Sequence, residues 1–255
     1  MGKNMIGLVS VSFRNNKSKE IIKSAYECGL NCIEWGSDVH APACDVQKIK
    51  EIKNECDAFG IECSSYGTYF KIGENSSDEL YDYINAARIL GTDIIRLWCG
   101  NKNADEYSPD EKSLFFEQCV KLAEIARRED VKLCMECHNN SFVSKKEAAL
   151  YLMKAVSSPN FRMYWQPNPF AHIKDNLEYA KELSEYTELI HVFNWSGCSR
   201  YPLGESTDVW KSYLACFNKD IPLLLEFMPD DRIESLKSET NALKEIVKGS
   251  LNNRY

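Results

Sequence analysis

Val131-Lys132-Leu133-Cys134-Met135-Glu136-Cys137-His138 is a short apolar run that closes on a carboxylate and an imidazole. An amphipathic pattern follows over residues 145–156, and then a second apolar run over 162–166. Two β-type runs joined by a helical period make a β/α unit, because parallel strands need a long crossover, usually a helix. Working outward, the same alternation fills the chain. Strand patterns are read at residues 6–13, 32–35, 62–66, 94–98, 132–136, 162–166, 189–194 and 222–227. Helical patterns are read at 19–28, 46–59, 78–90, 110–128, 145–156, 176–185, 209–217 and 233–248. Gly29, Gly60 and Gly91 follow helical runs as C-terminal caps, and Ser108-Pro109-Asp110-Glu111 supplies an N-cap with Pro at the first helical position. Eight such units without a Pro/Gly/Ser-rich linker predict an α/β fold, a (β/α)₈ TIM barrel forming one domain over residues 1–255. A doubly wound open sheet is the alternative. It would carry a glycine-rich phosphate loop after the first strand, whereas Ser10-Val11-Ser12-Phe13-Arg14-Asn15 has no glycine.

With 44% hydrophobic and 27% charged residues the chain can bury a sizeable core. Its formal net charge of −7 opposes a broad phosphate-binding surface. Nucleic acid is therefore not expected as a partner, and a small substrate is favoured. No stretch approaches the roughly 18 consecutive apolar residues of a membrane span. Met1-Gly2-Lys3-Asn4 runs into a strand pattern and not into a signal-peptide pattern. A soluble, cytoplasmic protein without a membrane partner is expected, and homo-oligomerisation stays open. The eleven cysteines, an odd number set mostly in apolar runs, read as reduced core thiols. Cys134-Met135-Glu136-Cys137 has CxxC spacing, but it lies within a strand pattern and no second CxxC accompanies it, so it is not read as a zinc knuckle.

In a barrel the functional residues stand at the C-terminal ends of the strands. Strand five ends at Glu136 and His138, strand six at Gln166, strand seven carries His191, and strand eight ends at Glu226. A carboxylate closing an apolar strand is costly to bury unless it is paired, protonated or bound to a metal. Taken singly, a glutamate at a strand end is more often a helix cap or salt-bridge partner, and a strand histidine is often a satisfied core residue. Four such residues at one level of consecutive strands are a different matter. If those faces point inward, Glu136, Gln166, His191 and Glu226 form an oxygen-rich set with one nitrogen. That donor set suits one divalent cation, Mn²⁺, Mg²⁺ or Co²⁺, and tolerates Zn²⁺.

These residues resemble the xylose isomerase-like TIM barrel superfamily, which contains sugar isomerases, ketose 3-epimerases, polyol dehydratases and apurinic endonucleases. The resemblance covers essentially the whole chain. It rests on Ile33-Glu34-Trp35, Ile95-Arg96-Leu97-Trp98-Cys99-Gly100, Met135-Glu136-Cys137-His138 and Ile190-His191-Val192. Pro202-Leu203-Gly204-Glu205, with Asp208 and Trp210 behind it, and Leu225-Glu226 complete the order. It implies a metal held by Glu136, Gln166, His191 and Glu226. Gln166 stands where the family pattern has Asp, and Pro169 stands where it has His. A glutamine oxygen brings no charge, so two carboxylates must do the work of three; His172, a few residues on, is either a compensating ligand or an ordinary helix-start residue. His138, Arg96, Trp35, Trp98 and Glu205 are the expected substrate contacts; the alternatives are a residue supporting the ligands from behind for His138 and a surface salt bridge for Arg96. For the tryptophans, Trp165 and Trp195 included, packing under the loops is the alternative to stacking on a sugar.

The function expected is a metal-dependent sugar or polyol isomerase or epimerase. Glu136 and Glu226 would be the catalytic residues, one removing a proton beside a carbonyl to give an enediolate, the other returning it. A dehydratase would share the ligands and expel a β-hydroxyl from the same enediolate. A degenerate sugar-binding barrel that lost its metal through Gln166 is the non-enzymatic alternative. Glycoside hydrolysis leaves His191 unexplained, and a multi-metal nuclease needs more ligands than four histidines help to supply.

Overall fold

The computed structural model describes residues 5–217 and 220–252; Met1-Gly2-Lys3-Asn4, read above as the lead-in to the first strand, lie outside the described residues. Eight strands form a closed parallel barrel. They are β1 (Ile6–Val9), β2 (Cys32–Gly36), β3 (Glu62–Lys71), β4 (Ile94–Trp98), β5 (Lys132–Glu136), β6 (Phe161–Trp165), β7 (Thr187–Val192) and β8 (Leu223–Leu225). Each pairs with its neighbours in sequence, and β1 closes on β8 in the register Gly7↔Leu224. The helices are α1 (Ser18–Cys28), α2 (Val46–Phe59), α3 (Leu80–Leu90), α4 (Pro109–Arg128), α5 (Lys146–Val156), α6 (Ile173–Leu183), α7 (Thr207–Leu214) and α8 (Leu236–Asn252). The molecule is a single-domain (β/α)₈ TIM barrel. No helix among the described residues is long and apolar enough to cross a membrane.

Strand parity sorts the core into two layers. Val9, Cys32, Cys134, Tyr164, Leu189 and Leu224 fill the barrel interior. Their sequence neighbours Leu8, Ile33, Leu133, Met135, Met163, Trp165, Ile190, Leu223 and Leu225 face outward, against the helices. Cys134 and Cys137 are free, buried thiols, as expected of core residues. Gly29, Gly60 and Gly91 each end a helix in the left-handed conformation. Ser108 and Glu111 cap α4 reciprocally, Glu111 N–H donating to Ser108 Oγ and Ser108 N–H to the Glu111 carboxylate at 2.8 Å.

Two boundaries depart from the sequence reading for reasons that shape the mouth. β1 stops at Val9, and Ser10–Phe13 turns into a 3₁₀ segment. There Ser10 Oγ accepts the Gly36 N–H at 2.9 Å and Ser12 Oγ accepts the Phe227 N–H at 2.8 Å, so buried hydroxyls tie the ends of β2 and β8 to β1. β3 runs on from the expected end at Tyr66 to Lys71, because Gly67 pairs with Arg96 of β4 and Thr68 is buried within the sheet.

Candidate metal centre at the barrel mouth

Alternation that places Cys134, Tyr164, Leu189 and Leu224 inside the barrel also points the next inward positions up into its C-terminal mouth. These are Glu136, Gln166, His191 and Glu226. All four are buried. His191 Nδ1 is the point of convergence: Gln166 Oε1 lies 3.0 Å from it, Glu226 Oε2 3.5 Å and Glu136 Oε1 3.6 Å. One donor atom from each of Glu136, His191 and Glu226 falls within 4.8 Å of the others. The residue after Glu226, Phe227, has φ of 52°, a left-handed conformation that bulky side chains rarely adopt and that turns the chain sharply off the strand.

Below this convergence lies a second set of buried groups. Arg96, from β4, donates from Nε to Glu34 Oε1 at 3.2 Å and from Nη1 to Glu136 Oε2. Glu34 Oε2 accepts from Ser65 Oγ at 2.9 Å and from the Tyr164 hydroxyl, and it lies 3.4 Å from His191 Nε2. Burial works against charge on Glu34, but Arg96, His191 and Tyr164 outweigh it and hold its carboxyl down to about 2. For Glu136 burial is likewise outweighed, by Arg96 and His191, and its carboxyl sits well below the ordinary range. Glu226 goes the other way: burial and the nearby Glu136 push it up, although His191 and Arg96 oppose them.

Charge decides whether a cation fits here. Three buried carboxylates, Glu34, Glu136 and Glu226, face one guanidinium, Arg96, leaving two negative charges when His191 is neutral. A divalent cation brings the sum to zero, and the donors at the convergence, two carboxylates, an amide oxygen and an imidazole nitrogen, are those such an ion takes. The neutral Gln166 is therefore compatible with a charge-balanced site. Gln166→Glu keeps the reach of the side chain and adds a charge at the convergence. Its Kd for Mn²⁺ is expected to fall by on the order of tenfold, since affinity follows the charge count of the ligands. Equal titration curves for the two proteins would place Gln166 outside the ligand set.

The site opens into a cavity of about 200 Å³. His138, Asn139, Asn168, Phe170, Trp195 and Phe227 line it above the ligands, and its lining includes no Lys or Arg. His138 Nδ1 is tied to the Asn139 carbonyl at 2.7 Å, and its ring packs 4.5 Å from Trp98. Trp195 opens a small antiparallel ribbon, Trp195–Ser196 with Ser199–Arg200, that covers one side. Arg200 stacks on Trp195 and Phe227 from outside and pairs with Asp231.

Several expected substrate contacts lie elsewhere. Trp35 and Trp165 are 0% exposed and face the helices, because each is adjacent in sequence to a residue, Glu34 or Gln166, that points inward. Arg96 is buried beneath the mouth and its donors serve Glu34 and Glu136, so it anchors a carboxylate instead of reaching substrate. Glu205 is exposed on the 3₁₀ turn Leu203–Ser206 and does not line the cavity. His172 is an exposed residue at the start of α6 and compensates for nothing. Trp98 is half-buried, stacked between Tyr69 and His138 rather than lining the cavity itself.

Glu34, Ser65 and Tyr164 were not anticipated as parts of the site. The signal for Glu34 was the one used for Glu136, a carboxylate closing an apolar strand. Tyr164 stands two residues before Gln166 and so shares its face. The cluster also explains Gly67 on β3, where a Cβ would collide with Glu34 Oε1 and lie 3.0 Å from Arg96 Nη2. Gly67→Ala is expected to lower stability by about 1–3 kcal/mol through overpacking. Urea unfolding measures it, and an unchanged midpoint would mean that the ion cluster shifts freely.

The sequence model of the xylose isomerase-like TIM barrel family matches residues 22–214, more than half of the chain. The chain belongs to that family. Among its relatives is a 3-dehydroshikimate dehydratase from Bacillus anthracis, 22% identical over 271 residues, covering 96% of this chain and 94% of the relative. The solved structure of a probable 3-DHS dehydratase of petrobactin synthesis from Bacillus anthracis superposes with a TM-score of 0.79 at 18% identity, covering 94% and 98% of the two chains. A xylose isomerase-like TIM barrel protein from Mycobacterium smegmatis, solved with magnesium, gives 0.71 at 15% identity over 96% and 97%. An L-ribulose 3-epimerase gives 0.73 at 12% identity over 98% of both chains. The proteins that this chain resembles in sequence or fold thus include a dehydratase and an epimerase.

Proposed function

We infer that the protein is a metal-dependent isomerase or epimerase of a small, uncharged sugar or polyol, acting by proton transfer at the carbon beside a carbonyl. The observation that carries this reading is the convergence of Glu136 and Glu226 with Gln166 on His191 Nδ1, at the floor of a cavity whose lining has no cation. Phosphorylated or carboxylated substrates normally meet Arg or Lys; here His138, Asn139 and Asn168 offer neutral donors and acceptors suited to hydroxyl groups. A bound divalent cation would supply Lewis-acid polarisation of the substrate oxygens.

The chain's own residues do the rest. Glu136 is fixed by Arg96 and stays an anion; Glu226, which no arginine holds directly, is the carboxylate with the greater proton affinity. Reaching the mouth from β5 and β8, the two flank the position where a substrate carbon would lie, so that one removes its proton and the other returns it. Phe170, Trp195 and Phe227 wall the cavity with apolar surface, which limits water at that carbon.

A lyase is the second reading, favoured by the dehydratase relative that spans 96% of the chain. It shares the first proton transfer and differs in expelling water afterwards. The two separate in one experiment: the Mn²⁺-loaded protein in deuterated water with ketoses, aldoses and inososes. Deuterium at the carbon beside the carbonyl without loss of water supports the isomerase or epimerase, and loss of water supports the lyase. Neither event with any compound, in protein that holds Mn²⁺, would contradict both.

A further inference from the structure

We propose that Glu34 is the positioning residue of this centre: from beneath the imidazole it accepts the His191 Nε2–H and so turns Nδ1 to the ligand side. The inference rests on the reading of the Glu136, Gln166, His191 and Glu226 cluster as a cation site. It begins from an excess. Arg96 already has Glu136 as a buried counter-ion, so neutralising the guanidinium does not require a second fully buried carboxylate. Burying one is expensive unless every oxygen is occupied. At Glu34 each oxygen is occupied by groups from different strands: Arg96 of β4 on Oε1, and Ser65 of β3, Tyr164 of β6 and His191 of β7 on Oε2. The Ser65 and Tyr164 hydroxyls lie 2.7 Å apart beside the same carboxylate oxygen. At any moment one or both donate to Glu34 and one can instead donate to the other, which holds the carboxylate against rotation.

What this network sets is which nitrogen of His191 keeps its proton when a cation takes the other. With Glu34 at 3.4 Å from Nε2, that nitrogen keeps its hydrogen, and a cation among Glu136, Gln166 and Glu226 takes the Nδ1 lone pair in place of the hydrogen that otherwise bonds Gln166 Oε1 at 3.0 Å. A carboxylate accepting the far N–H makes the near nitrogen a stronger donor to a cation. Glu34 therefore supplies, through the ring, part of the charge that the neutral Gln166 does not bring directly.

Zn²⁺ is the probe, because it is diamagnetic and takes imidazole nitrogen. Wild-type protein labelled with ¹⁵N-histidine carries only four histidines. In its Zn²⁺-loaded form, His191 is expected to show a protonated, hydrogen-bonded Nε2 and a metal-bound Nδ1. Glu34→Gln is expected to weaken Zn²⁺ binding by about 10–100-fold and to shift the Nε2–H proton resonance upfield. Gln166→Glu added to that variant should recover affinity but not the resonance, which a general loss of structure would not produce. A metal-bound Nε2 in wild type overturns the proposal even if Glu34→Gln fails to fold. So does a Glu34→Gln variant with wild-type Zn²⁺ affinity and an unmoved resonance; in that case the metal site stands and only the positioning role falls. Wild type that takes up no Zn²⁺, Mn²⁺ or Mg²⁺ overturns the cation site and the role of Glu34 together.

Discussion

Replacing Glu226 by glutamine, and separately Glu136, is expected to cut turnover of the Mn²⁺-loaded protein by about 10²-fold or more, the usual range for losing a general acid or base. Glutamine keeps an oxygen of similar position for a cation but removes both the ability to take or give a proton and one ligand charge, so turnover is compared at saturating Mn²⁺. The two variants should not behave alike, because their surroundings differ. Glu136 loses its ion pair with Arg96, whose guanidinium then has Glu34 alone, so this variant must be checked for stability as well as for metal. Glu226 has no arginine contact, and its variant should fold as wild type. Proton exchange separates the roles: the variant lacking the base should wash no deuterium into substrate, whereas the one lacking the returning acid should exchange without forming product. Wild-type rates in both metal-loaded variants would overturn the two-glutamate mechanism.

The barrel was legible because each unit repeats one signal: a short apolar run, a helical period, a cap. The cluster at the mouth was legible for a related reason. An ionisable or amide side chain ending an apolar run is conspicuous, and period-two alternation says which such residues share a face. The same alternation explains the errors. Trp35 and Trp165 were expected at the mouth because they stand at strand ends, but an aromatic next to an inward residue must face outward, and both pack against the helices. Arg96, the middle residue of β4, is expected either at substrate hydroxyls or in a surface salt bridge. Its actual partners, Glu34 and Glu136, come from 62 and 40 residues away in sequence, a pairing that only closure of the barrel creates. Glu205 belongs to a loop, where no periodic rule fixes direction, and its side chain is solvent-exposed.

Cation binding is expected to tighten about tenfold for each pH unit from about 6 to 8.5, because one proton must leave for each ion bound. The cause is His191. In the metal-free fold, burial works against charge on its ring, but Glu226, Glu34 and Glu136 outweigh this and hold it up to about 10. Through the neutral range the ring then carries both protons, the one on Nδ1 directed at Gln166 Oε1. A cation at Nδ1 displaces that proton, so raising the pH favours the ion, and the slope disappears near pH 10. Burial of Glu226, whose carboxyl is also pushed up, steepens the dependence on the acid side. Stability follows with its own sign. The folded pKa of His191 lies above the unfolded value of about 6.5, so its contribution to the metal-free protein is complete below that value and is lost as pH rises toward 10. Chelator-treated protein should therefore lose thermal stability between neutral and alkaline pH, while loaded protein, in which the ion replaces the proton, should not. Titration calorimetry and melting curves from pH 6 to 10 measure both effects. A Kd that is flat in pH, with parallel melting curves, would remove His191 from the cation site.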